Sequence, residues 1–130
     1  MEDKISLDTD VLADFLRNKE YAINWFNENK DKKLFTTSIN MFELYYGAYK
    51  FYEPKKALDP IKKLKKSLSI LNLTDKSANI AAKKLVELEK QGNAIDLKDL
   101  LIASIILNEG FNLKTNNKKH FERIKELNLV

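Results

Sequence analysis

The chain contains no cysteine. That excludes disulfides and thiolate metal centres, and it fits an intracellular, cytoplasmic protein. With only 3 glycines and 2 prolines in 130 residues, neither a long flexible linker nor a disordered low-complexity chain is expected. No apolar run approaches the length of a membrane span, so no membrane partner is expected. The opening Met-Glu-Asp-Lys is acidic and runs straight into an apolar stretch, unlike a signal peptide. Internal repeats are absent. What is present is a 44% hydrophobic composition, ample for a core, in a length that fits one compact domain over residues 1–130. Lysine and arginine total 23 against 19 acids, a net charge of +4. This mild excess permits nucleic-acid binding without demanding it.

The chain is organised around Lys4–Leu12. Ile5 and Leu7 lie in a short apolar run that ends abruptly at Asp8. Thr9 and Asp10 can cap a helix, as can Asp8 itself, and Val11, Leu12, Phe15 and Leu16 follow at helical spacing. A helix over about 21–29 places Tyr21, Trp25 and Phe26 on one face. Leu34–Thr37 reads as a second strand. Ser38 can cap a helix whose stripe is Met41, Leu44, Tyr45, Ala48, Tyr49 and Tyr52, with Glu43 off that stripe. Pro54 suits the opening of the next helix, which carries six lysines between Lys55 and Lys66. Ser69–Leu73 reads as a third strand. Thr74 caps a long amphipathic helix ending near Gly92. Asp96–Asn108 is apolar nearly all round, which predicts a helix buried on most sides, ended by Gly110. Phe111–Thr115 reads as a fourth strand, 118–125 as a short helix and Leu127–Val130 as a last strand. Strands alternating with helices predict a three-layer α/β/α sandwich on a mainly parallel sheet of about five short strands.

The acids adjoining apolar elements are Asp8, Glu43, Asp96 and Asp99. In an open α/β sheet, ligands bind outside the carboxyl ends of the strands, and each of these acids follows a strand or opens a helix. Carboxylates about 4 Å apart repel by roughly 4 kcal/mol at an effective dielectric of about 20. Converging acids would therefore need a cation, and oxygen-only ligands make it a hard one, Mg²⁺ or Mn²⁺. Each acid also has a plainer explanation. Asp96-Leu97-Lys98-Asp99 has the spacing of a capping box, Asp8 can serve as a cap, and Glu43 alone can be a solvated helix residue. The strand followed by Asp-Thr-Asp-Val-Leu also resembles the first motif of haloacid-dehalogenase-type phosphatases, with Asp8 and Asp10 carrying the chemistry. Nothing here supplies the adjacent acidic pair at a strand end that those enzymes require.

A broader resemblance covers nearly the whole chain. Asp8-Thr9-Asp10-Val11-Leu12 resembles the opening motif of the PIN-domain family, in particular of the VapC-type toxin ribonucleases. Thr37-Ser38-Ile39 with Phe42-Glu43-Leu44-Tyr45-Tyr46-Gly47-Ala48 resembles its second motif, and Asp99-Leu100-Leu101-Ile102-Ala103-Ser104 its third. Leu113-Lys114-Thr115-Asn116-Asn117 with His120-Phe121-Glu122-Arg123-Ile124 is similar to its C-terminal motif. The resemblance implies that Asp8, Glu43 and Asp99 are catalytic metal ligands. Asp96, Asn117 and His120 are the candidates for a fourth corner. It implies that Thr115 steadies the acids and that Asp10, where Asn is common, caps or supports them. The activity implied is Mg²⁺-dependent endoribonuclease cleavage, with Mn²⁺ able to substitute, in which a metal-activated water attacks the phosphodiester and leaves a 5′-phosphate and a 3′-hydroxyl.

RNA contact is assigned to Lys114, Lys118, Lys119 and Arg123, beside the acids, and less directly to the Lys55–Lys66 segment. Such contacts are sequence-blind and salt-dependent; the alternative is a solvated helix face. Phe42, Tyr45, Tyr46, Tyr49, Phe51 and Tyr52 crowd one helix and its end. One helix buries only one stripe, so some of them should be covered by another chain or by the lysine-rich helix. The resemblance implies a homodimer and a small VapB-like antitoxin, with Tyr46 and Phe51 as candidate contacts. Two further readings stand beside the toxin: an RNA-processing nuclease without an antitoxin, and a non-catalytic RNA- or partner-binding domain.

Overall fold

A computed structural model describes residues 4–130; the acidic lead 1–3, on which the expectation of no signal peptide rests, lies outside them. The strands are β1 (Ile5–Leu7), β2 (Leu34–Thr37), β3 (Leu68–Leu71), β4 (Asn112–Lys114) and β5 (Asn128–Leu129). They form one parallel sheet in the order β3-β2-β1-β4-β5. The helices are α1 (Thr9–Leu16), α2 (Glu20–Glu28), α3 (Ser38–Tyr49), α4 (Pro54–Lys65), α5 (Asp75–Lys90), α6 (Leu97–Glu109) and α7 (Lys118–Phe121).

Alternation along the strands splits the core in two. Ile5, Leu7 and Leu34 face one cluster, with Val11, Leu12, Phe26, Met41, Leu44 and Ile61 from α1–α4. Ser6 pairs in register with Phe35 on one side and Leu113 on the other, so these three share the opposite face. There Leu113 joins Ala81, Leu88, Leu100, Ile106 and Phe121 from α5–α7. This is the expected α/β/α sandwich. As its composition predicts, α6 is buried on most sides, with Leu100, Ile102, Ala103, Ser104, Ile105 and Ile106 all out of solvent. It ends at Gly110, whose φ of 70° is left-handed and so suits a residue without a Cβ.

Local chemistry moves several boundaries. Of the candidate caps for α1, Asp8 is the one used: its backbone is extended and its carboxylate accepts from the Thr9 N–H. Thr37, not Ser38, caps α3, in a reciprocal capping box with Asn40. β3 starts at Leu68 rather than Ser69 and stops at Leu71, in register with Thr37 at the end of β2. α7 stops at Phe121, well short of Lys125. Tyr21 does not join the apolar face of α2; it is exposed, and its hydroxyl donates to Asp14.

Candidate metal centre at the topological switch point

The connectivity fixes the place. From β1 the chain winds outward through β2 and β3, then returns to the other side of β1 as β4 and β5. The switch point therefore lies between β1 and β4, and the crevice beyond their carboxyl ends is where such sheets bind ligands. Leu7 pairs with Lys114 in register. The next residues, Asp8 and Thr115, face each other across that crevice, and the Asp8 N–H donates to the Lys114 carbonyl at 2.9 Å.

Asp8 is 7% exposed and heavily bonded. Its Oδ1 accepts from the Thr9 N–H at 2.9 Å and from the Asn40 amide at 3.1 Å. Its Oδ2 accepts from the Thr115 hydroxyl at 2.6 Å. Burial nevertheless dominates and pushes its pKa up to about 6. The hydrogen bonds of Thr115 and Thr9 offset part of that rise, while the charges of Asp10 and Asp99 add to it.

A chain of hydrogen bonds runs from Asp8 to Glu43. The Asn40 amide that holds Asp8 also donates to the Thr9 hydroxyl at 2.9 Å, and that hydroxyl donates to Glu43 Oε1 at 2.7 Å. Glu43 Oε2 faces the Lys98 ammonium at 3.6 Å. Asp99, in the first turn of α6, has its pKa raised, first by burial and then by the neighbouring charge of Asp96, with Glu43 adding to it. His120 Nδ1 lies 3.5 Å from Asp99 Oδ2. Asp96 is the N-cap of α6, accepting from Lys98 N–H at 2.9 Å and Asp99 N–H at 3.3 Å. Asp10 accepts from Val11 N–H at 2.7 Å and from Asn116 N–H at 3.1 Å, which ties α1 to the loop after β4. Burial raises its pKa too.

Hydrogen bonds link Asp8 to Thr115 and, through Asn40 and Thr9, to Glu43. Neighbouring charge couples Asp99, which His120 contacts, to Asp8, Glu43 and Asp96, and couples Asp10 to Asp8. Asn117 follows directly, its N–H donating to the Thr115 hydroxyl at 3.0 Å. Lys118 and Lys119 are exposed beside it at the start of α7. Arg123 turns away, donating to the Ala94 carbonyl in the loop between α5 and α6. Thr9, Asn40 and Lys98 are the residues sequence reasoning missed. Asn40 sits three positions after Thr37, at capping-box spacing, and that spacing was its only signal.

The donor set fits a hard divalent cation: every carboxylate supplies oxygen, and Asp8 and Asp99 each have a pKa raised first by burial, with neighbouring acids adding to it. Among the described residues, no group of three or more His, Cys, Asp or Glu side chains is placed to hold a metal ion as it stands. Two of the acids are instead turned toward protein nitrogens, Glu43 to the Lys98 ammonium and Asp99 to His120 Nδ1.

Comparison with known proteins agrees with this architecture. Residues 5–127 match the PIN domain family. Ribonuclease VapC2 of Haemophilus influenzae is 34% identical over 93% of this chain and 92% of its own. The tRNA(fMet)-specific endonuclease VapC of Shigella flexneri is 30% identical over the same shares. The crystal structure of DNA-bound VapBC from Salmonella typhimurium superposes with a TM-score of 0.90 at 28% identity, covering 99% of this chain and 98% of that one. The chain belongs to the PIN-domain family, among its VapC-type ribonucleases.

Proposed function

We propose that this chain is a Mg²⁺-dependent endoribonuclease, able to use Mn²⁺, and the toxin of a toxin–antitoxin pair with a small VapB-like partner. The observation that carries the reading is Asp8: an acid held at the switch point by three hydrogen bonds, yet with a pKa raised by burial and by its acidic neighbours. Such a carboxylate is positioned but not neutralised.

Asp8, Glu43 and Asp99 would hold the ion, with Asn117 and Asp96 at the margin. When bound there, a divalent ion lowers the pKa of a coordinated water and neutralises charge on the scissile phosphate. The protein's own part is placement. Thr9, Asn40 and Thr115 fix the Asp8 carboxylate, and the Thr9 hydroxyl aims Glu43. Lys114, Lys118 and Lys119 border the crevice and suit backbone phosphates of the RNA. The tRNA(fMet) specificity in the name of the Shigella relative makes tRNA the first substrate to try.

Two surfaces support the partners. Phe42 and Tyr46 stack on the outer face of α3 at 6.2 Å between centroids, each more than half exposed; a second copy of the chain would cover them. A groove of about 580 Å³ between α1, α3 and α4 is lined by Leu16, Leu44, Ala48, Phe51 and Ile61 and reaches Glu43. An antitoxin segment lying there would end at the acids. The salmonella neighbour is such a two-protein complex.

The test is RNA cleavage. Activity should require Mg²⁺ and stop with chelator, and Asp8→Asn or Asp99→Asn should abolish it in folded protein. RNA that is bound equally with and without metal, and never cut, would replace the nuclease with a binding module. Copurification of a small partner with the tagged chain separates the toxin from a stand-alone processing enzyme.

A further inference from the structure

Lys98 occupies an unusual place. It lies in the first turn of α6, at the helix end whose dipole disfavours a cation. Asp96 caps the N–H groups of Lys98 and Asp99, a task in which the lysine side chain has no part. Its ammonium instead reaches across to Glu43 Oε2 at 3.6 Å, while Thr9 holds the other oxygen of that carboxylate. The lysine side chain is 48% exposed, so this contact can be exchanged for water.

We propose that Lys98 is a built-in counterion that competes with the divalent metal for Glu43. This rests on the metal-site reading above and adds to it an occupant supplied by the chain itself. In the metal-free protein the ammonium offsets charge among Glu43, Asp99 and Asp8. A divalent ion that takes Glu43 must displace it. The released ammonium stays on the first turn of α6, next in sequence to Asp99, where it can meet a phosphate brought to the site. Removing the positive charge should therefore tighten metal binding rather than weaken it, the opposite of what loss of a ligand or of a structural support would do.

The experiment is Mn²⁺ binding to the purified chain by calorimetry, with no RNA present, for wild type, Lys98→Met, Lys98→Arg and Glu43→Gln. Lys83→Met, at an exposed position on α5, controls for net charge. A half-exposed ion pair is worth a factor of roughly two to five in affinity, so Lys98→Met should bind Mn²⁺ that much more tightly. Lys98→Arg and Lys83→Met should stay near wild type and Glu43→Gln should weaken binding. The gain in Lys98→Met should shrink as salt is raised, because the competition is screened. Unchanged or weaker binding in Lys98→Met, with Glu43→Gln still impaired, overturns the inference and leaves the metal site standing. Wild-type protein that binds no Mn²⁺ overturns both.

Discussion

Asp8 and Asp96 do the same local job in different surroundings. Each has an extended backbone and caps the helix that follows it, α1 for Asp8 and α6 for Asp96. Asp96 is exposed, and its carboxylate serves its own helix end. Asp8 is buried at the switch point, takes two further hydrogen bonds from Asn40 and Thr115, and has a raised pKa. Capping and chemistry are therefore not alternatives. On the proposed function, a cap takes on a chemical role when the fold buries it among other acids.

The largest test of that contrast is Asp8→Asn. Asparagine caps a helix about as well as aspartate, so the change removes charge and keeps the cap. Cleavage should fall by more than about a hundredfold. Stability of the metal-free protein at pH 7 should rise, by about 1–2 kcal/mol or roughly 3–10 °C in Tm, because an ionised buried carboxylate is removed. Asp96→Asn should do neither.

The pH dependence follows from the same group. Asp8 holds its proton more tightly in the folded chain than in the unfolded one, with a pKa near 6 against the ordinary 3.8. Its contribution to stability is thus fullest below pH 4 and is lost as the pH rises through 6, about 3 kcal/mol in all. Thermal melts of metal-free wild type between pH 4 and 7 should carry this loss, and Asp8→Asn should flatten it. Metal works in the opposite sense: Mn²⁺ affinity should weaken as pH falls below about 6, since the ligand must lose its proton.

A smaller effect is expected from Thr115→Val. It deletes a buried donor to Asp8 and should cost about 1–3 kcal/mol in urea unfolding, with Mn²⁺ affinity lowered by about tenfold or more. Asp96→Ala should cost about 1 kcal/mol through the lost cap and leave cleavage within a few-fold of wild type; a dead enzyme would erase the contrast between the two aspartates. The smallest effect belongs to Lys118→Ala or Lys119→Ala, each weakening RNA binding evenly across sequences and flattening its dependence on log salt by about 1.

The fold was largely legible in the sequence because its signals are local. The apolar run of α6, the left-handed Gly110 and the strand–helix alternation each report on nearby residues, and the sheet follows from their order. Boundaries shifted where tertiary pairing decided them, as at β3, whose span is fixed by its register with β2. The acids were marked in the sequence by the motifs they sit in, and the fold couples them by hydrogen bonds and charge. Their supports were not. Asn40 is fully buried and bonds Asp8 and Thr9, each more than thirty positions away; its capping-box spacing marks the bond to Thr37 but not those distant partners. Lys98 was passed over because a lysine in the first turn of a helix reads as solvated surface, and only the folded chain brings it to Glu43.

The central claim is that Asp8, Glu43 and Asp99 share one divalent ion beyond the ends of β1 and β4. Anomalous diffraction from a crystal soaked in Mn²⁺ tests it directly. The account predicts a peak within about 2 Å of oxygens from all three carboxylates. A peak that misses Asp8, or an empty map from a crystal whose soaked solution supports RNA cleavage, would contradict it.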